Sequence, residues 1–148
     1  MLDYYLEKVR EPGQTINPVL SFLGVRIDEI TKNKAVLALP IRDEFRHAGG
    51  FTAGGILATL ADESMGHVVA ANIEGNEGIV TIEMNIRYFK PVKSGEIRAE
   101  ASIVKMGKKV VSVKADVKNE SGDVLAQAGA SFLLIDISSI LESKKGEA

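Results

Sequence analysis

Gly54-Gly55-Ile56-Leu57-Ala58-Thr59-Leu60-Ala61-Asp62-Glu63-Ser64-Met65-Gly66 is the stretch whose reading decides the architecture. Continued to Ala71, it reads as one helix of roughly 25 Å at ~1.5 Å per residue. It opens after residues 42–53, a polar, Gly-rich segment that reads as an irregular loop. On a 100° wheel Ile56, Leu57, Leu60, Ala61, Met65 and Val68 spread over about half the circumference, and Ala58 and Val69 extend the arc. A helix so apolar must be covered broadly, and the remaining sequence offers one cover.

That cover follows Gly75 and Gly78, where the hydrophobic period changes to two. Val80, Ile82, Met84, Ile86 and Tyr88 alternate with Thr81, Glu83, Asn85 and Arg87, and three similar runs follow, around 97–103, 111–117 and 124–134. Turn chemistry at Pro91–Gly95, Gly107 and Ser121-Gly122 separates them. Four long strands joined by short turns predict an antiparallel meander with one apolar face. Small residues such as Ala99, Ala101, Ala115, Ala126, Ala128 and Ala130 would let a curved sheet approach the helix closely.

Upstream, Val25–Ile30 and Ala35–Ile41 flank the polar turn Thr31-Lys32-Asn33-Lys34, the pattern of a hairpin. Asn17-Pro18 is a cap followed by proline at the first helical position, and Gly24 closes that short helix. Leu2, Tyr5, Leu6 and Val9 mark one stripe of an amphipathic helix stopped by Pro12-Gly13. From Glu142 onward the tail is polar and is expected to fray. The fold class is therefore α+β: a long central helix wrapped by a curved antiparallel sheet, in one domain, as a 148-residue chain also suggests on length.

Composition narrows the chemistry. Eighteen Lys and Arg against 20 Asp and Glu leave no broad basic face, which argues against nucleic-acid binding. Without cysteine there is no disulfide, thiolate nucleophile or zinc–sulfur site, and two histidines make an imidazole-rich metal site improbable, so no metal is expected. No run of about 18 apolar residues exists, so no membrane association is expected and the cytoplasm is the default compartment.

Three features can carry chemistry. Gly54 and Gly55 leave backbone N–H groups bare at a helix start, where they can polarise a carbonyl or hold an anion. Asp62 borders the apolar arc and becomes partly buried if the sheet wraps the helix. His47, in Arg46-His47-Ala48-Gly49-Gly50, can donate to water or substrate. Glu63 and His67 fall on the polar margins of the wheel and receive no role. Asp62 lies two turns (~12 Å) beyond Gly54, too far for both to serve one substrate within one chain, so a shared site needs a second subunit.

The helix segment Gly54–Gly66, together with Val80-Thr81-Ile82-Glu83-Met84-Asn85-Ile86-Arg87-Tyr88-Phe89-Lys90-Pro91 and Ser94-Gly95-Glu96, resembles the hotdog-fold acyl-CoA thioesterases, in particular the phenylacetate-degradation (PaaI-like) subgroup. The resemblance spans about residues 20–135. It implies subunits joined edge to edge as dimers, dimers paired into tetramers, and an active site between subunits. It places the general base or nucleophile on Asp62, the amide that holds the thioester oxygen on Gly54, the polar loop residue on His47 and the strand hydroxyl on Thr81. The family's histidine directly before the two glycines is Ala53 here, and His47 stands where asparagine is common. The implied reaction hydrolyses a small aryl- or acyl-CoA to free acid and CoA. It needs no cofactor beyond the coenzyme A carried by the substrate. Substrate binding is assigned to Gly55, with Arg87, Lys90 and Lys108 as candidates for the CoA phosphates. A non-catalytic acyl-CoA-binding protein on the same fold is the alternative.

Overall fold

The computed structural model describes residues 1–138, so the polar tail from Glu142 lies outside the described residues. Helix α1 (Leu2–Lys8) and helix α2 (Pro18–Leu23) precede a hairpin of β1 (Arg26–Ile30) and β2 (Ala35–Pro40). Helix α3 (Gly54–Ala70) is followed by β3 (Glu77–Tyr88), β4 (Glu96–Met106), β5 (Val110–Lys118) and β6 (Val124–Asp136). As the sequence predicts, Asn17 caps α2 by accepting from the Leu20 N–H, and Gly24 ends it with φ +79°, a left-handed conformation that glycine adopts without strain.

The six strands form one antiparallel sheet in the order β1-β2-β4-β5-β6-β3. It packs on α3 through Leu57, Leu60, Ala61, Met65, Val68 and Val69, all buried. Ala99, Ala101, Ala115, Ala126, Ala128 and Ala130 face them from the strands and are buried too. Those short side chains allow the curved sheet to close on the helix, as expected.

Two expectations need correction. The predicted four-strand meander holds only for β4, β5 and β6. Strand β3 lies at the far edge beside β6, and β4 pairs instead with β2 of the hairpin. Turn residues mark where a strand ends but not which neighbour the next one joins. The seven residues 89–95 reach about 23 Å when extended, enough to cross three strand spacings of about 4.8 Å.

The phase of β3 also departs from simple alternation. Its pairing with β6 shifts between Thr81 and Glu83, a bulge that places Ile82 outside the register. Val80 and Ile82 are consequently 44% and 54% exposed, whereas Met84 and Ile86 pack on the core. Thr81, assigned by simple alternation to the polar face, turns towards α3 instead and bonds to Asp62.

Candidate functional site between the helix and the edge strand

The loop before α3 is tied down by its own backbone. The His47 N–H donates to the Phe51 carbonyl (2.9 Å), the Gly50 N–H to the His47 carbonyl (2.9 Å) and the Ala53 N–H to the Phe45 carbonyl (2.8 Å). Ala53, extended at φ −61° and ψ 137°, starts the helix without a side-chain cap. The N–H groups of Gly54 and Gly55 consequently have no acceptor among the described residues.

Around that helix start lies a recess of about 320 Å³ lined by His47, Thr52, Gly54, Leu57, Tyr88 and Lys90 among others. His47 Nδ1 accepts the Gly49 N–H at 2.9 Å. In the neutral ring the proton therefore sits on Nε2, which is left to donate. Position 49 must be glycine for this contact, since a Cβ there would lie 2.7 Å from the imidazole Cε1. The Tyr88 hydroxyl donates to the Gly54 carbonyl at 2.8 Å, and burial raises its pKa above the ordinary phenol value, so it keeps its proton. A Cβ at Gly54 would come within 3.0 Å of the same ring. Thr52 is buried, and its Oγ1 has no hydrogen-bond partner among the described residues.

Eight residues along α3, or about 12 Å, Asp62 borders a second recess of about 300 Å³ together with Thr81, Tyr5, Gly66, Ile79 and Phe132 among others. Thr81 donates its Oγ1–H to Asp62 Oδ1 at 3.1 Å, fixing the carboxylate against β3. The two recesses thus share one helix and one edge strand while opening separately.

Glu63 and His67 do not lie on an open polar margin. Helix α1 covers them, leaving His67 only 4% exposed. Its Nδ1 donates to the Glu63 carbonyl at 2.6 Å, so Nε2 accepts the Tyr5 hydroxyl proton at 2.9 Å. Asn17 Nδ2 donates to the Tyr5 oxygen (2.9 Å) and to Glu63 Oε2 (3.1 Å). Desolvation lowers the His67 pKa and raises that of Glu63. The wheel missed this because α1, joined to the rest through residues 9–17, adds a third layer that helix periodicity alone does not reveal.

The basic candidates do not converge within one chain. Lys90 lines the first recess and pairs with Asp123 at 3.2 Å. Arg87 alternates with Tyr88 and faces the opposite side of β3. Lys108 belongs to the β4–β5 turn, next to Lys109, whose carbonyl accepts the N–H of Leu134, the residue paired with Ile79. That turn is near the Asp62 end of β3, away from Lys90. Among the described residues no three metal-ligating side chains converge. Tyr5 and Thr52 have no role in the sequence reading, Tyr5 carrying only an apolar-stripe signal, and Tyr88 stands in the strand segment that carries the resemblance without an assigned role.

Comparison with known proteins bears directly on this geometry. Residues 49–126, which hold the end of the loop, the helix and the edge strand, match the family model of the thioesterase superfamily. Acyl-coenzyme A thioesterase 13 of Homo sapiens is 32% identical over 96 residues, covering 64% of this chain and 68% of that protein. The phenylacetic acid degradation protein PaaI of Thermus thermophilus, solved as an N33D mutant, superposes with a TM-score of 0.74 at 22% identity, covering 79% of this chain and 98% of that one. Thioesterase HI1161 of Haemophilus influenzae gives 0.79 at 19% identity over 84% and 87% of the two chains. These two structures share the fold. With more than half the chain matched by the family model, and with its helix wrapped by a curved six-stranded sheet, the protein is a hotdog-fold member of the thioesterase superfamily.

Proposed function

We propose that this protein hydrolyses the thioester of an acyl-CoA to the free acid and coenzyme A, at a site completed by a second copy of the chain. One observation carries the reading: a carboxylate held by Thr81 and a pair of unfilled N–H groups at Gly54 and Gly55 flank the same edge strand. Strand β3 is 12 residues long, has no strand on its outer side among the described residues, and exposes Val80 and Ile82. Such an edge invites pairing. Antiparallel pairing of two β3 strands about a twofold at Asn85, with Ile82 left out of the register, would set the partner's Thr81 opposite Tyr88. The partner's Asp62 would then approach Gly54. The same operation carries the partner's Lys108 towards Lys90, gathering positive charge near the rim for the CoA phosphates.

In this arrangement the thioester oxygen accepts from the Gly54 N–H and from His47 Nε2–H. The partner's Asp62 removes a proton from water as the water oxygen bonds to the carbonyl carbon. Collapse of the tetrahedral oxyanion breaks the carbon–sulfur bond, and the departing thiolate takes the proton back from the partner's Asp62. No cofactor or metal takes part in this route. Oxyanion donors contribute on the order of 10²–10³ in rate, and a positioned base about 10²–10⁴. The reading places the reaction in the cytoplasm; among the described residues no helix is long and apolar enough to cross a membrane.

The test is free-thiol release from a panel of acyl-CoA esters by the wild type and by Asp62→Asn. Turnover should fall by about 10²-fold or more in the variant, with acyl-CoA binding retained. A variant that turns over like the wild type removes Asp62 from the reaction. A wild type that binds acyl-CoA without releasing thiol makes the protein a binding module.

A further inference from the structure

The hydrogen-bonded group of Tyr5, Asn17, Glu63 and His67 takes no part in the proposed hydrolysis, yet it holds one ring rigidly beside Asp62. Tyr5 lines the recess next to Asp62, and it also lines a separate recess of about 570 Å³ that is walled by Leu2, Tyr4, Ile16, Gly75 and Ile137 among others. Tyr5 is the residue that the two linings share. Its ring is anchored from three directions. The Tyr5 hydroxyl donates to His67 Nε2 and accepts from Asn17 Nδ2, each at 2.9 Å, and the ring stacks on the imidazole with centroids 5.8 Å apart.

We propose that Tyr5 is the end wall of the acyl compartment and restricts this protein to compact acyl groups, a single ring or a short branched chain. The inference rests on the acyl-CoA reading of the Asp62 site. Size is in keeping with it: a cavity of about 150 Å³ accommodates benzene, and the open recess that one chain provides beside Asp62 measures about 300 Å³, room for a ring and a short linker. Ile79 and Phe132 on one side and Gly66 on the helix form the apolar part of the lining, beside Asp62, Glu63, His67 and Thr81. Gly66 widens that end, since a Cβ there would lie 3.6 Å from Ile79 and 3.8 Å from Phe132, in the space the acyl group would use. Removing the Tyr5 ring would join the two recesses into one longer channel.

The experiment measures kcat/KM for acetyl-, phenylacetyl- and dodecanoyl-CoA in the wild type, Tyr5→Ala, Tyr5→Phe and Gly66→Ala. It is paired with calorimetric binding of the same esters in the Asp62→Asn background. Wild type should favour phenylacetyl over dodecanoyl by at least tenfold. Tyr5→Ala should raise the dodecanoyl-to-phenylacetyl ratio at least tenfold. Tyr5→Phe, which keeps the ring, should hold that ratio within about twofold, and Gly66→Ala should shift preference from phenylacetyl towards acetyl. A folded Tyr5→Ala with an unchanged ratio overturns the proposal, as does a wild type that takes dodecanoyl equally well. If Tyr5→Ala does not fold, the Gly66→Ala shift decides. Absence of turnover on every ester defeats the hydrolase reading alone, because binding by chain length still tests the wall.

Discussion

Replacing Gly54 with alanine tests the helix start most directly. The Cα–Cβ bonds of a helix tilt towards its N-terminus, so the new methyl enters the space in front of the bare N–H groups. It would lie 3.0 Å from Tyr88 Cζ and 3.2 Å from both Cε1 and the hydroxyl oxygen. Ordinary carbon contacts are ~3.5–4.0 Å, so the ring must retreat by about half an ångström. Tyr88 is 48% exposed at the end of β3 and can do so. That retreat weakens its 2.8 Å bond to the Gly54 carbonyl, a loss of about 0.5–1.5 kcal/mol. Alanine recovers up to about 0.8–1 kcal/mol of helix propensity. The two nearly cancel, and the Tm should move by no more than about 2–4 °C. Turnover should nonetheless fall by about 10²-fold, the usual consequence of losing an oxyanion donor. Differential scanning calorimetry and thiol-release kinetics on one preparation separate the effects. A Gly54→Ala protein with native Tm and undiminished kcat would remove this amide from the site. A collapse in Tm would show instead that Tyr88 cannot yield.

Thr81→Val deletes the 3.1 Å bond to Asp62 while keeping the shape, and should lower kcat about tenfold, with Thr81→Ser restoring most of it. Equal rates in all three proteins would mean that the hydroxyl does not position the carboxylate. Ile82→Lys puts a charge on the open edge of β3 and should yield monomers by sedimentation velocity, with activity falling in parallel; active monomers would contradict a shared site. His67 contributes the acid side of the stability profile. Burial holds its pKa below the ordinary 6.5, so its contribution is complete above that pH and is lost as pH falls through it and towards the folded value. Glu63, raised by burial, acts in the opposite sense, its contribution being lost as pH rises through its folded pKa. Urea unfolding at about pH 7 and about pH 5 should therefore show a smaller acid loss in His67→Gln than in the wild type. Identical losses would show that His67 does not titrate between the folded and unfolded states.

The central helix, the caps of α2 and the β1–β2 hairpin were legible because local rules govern them: a 3.6-residue period, Asn17 before Pro18, a polar turn between alternating runs. Strand order was not, since β3 and β4 are adjacent in the chain but separated by β5 and β6 in the sheet. The bulge at Ile82 was equally hidden, because a strand read as one alternation gives no sign of an extra residue. Within the site, Gly54 and Asp62 stood out from helix geometry, whereas Thr81 was reached only through the family resemblance. Simple alternation assigned it to the wrong face. Tyr5 read as one residue of an apolar helix stripe, and only the packing of α1 onto α3 sets it in the lining of both recesses.

The recess at the head of α3 presents hydrogens and few lone pairs: the amides of Gly54 and Gly55, and the imidazole proton that Gly49 confines to the far nitrogen of His47. Such a lining grips oxygen more firmly as its negative charge grows, and a newly made carboxylate is more negative than the ester it came from. Unaided, a hydrolase with this lining would release its product slowly. In the proposed pair a remedy is close at hand: the partner's Asp62 would regain its charge as the thiol departs, the acid would give its remaining proton to solvent, and the two neighbouring anions would push each other away. The residue that starts each cycle would then also end it, by expelling the acid.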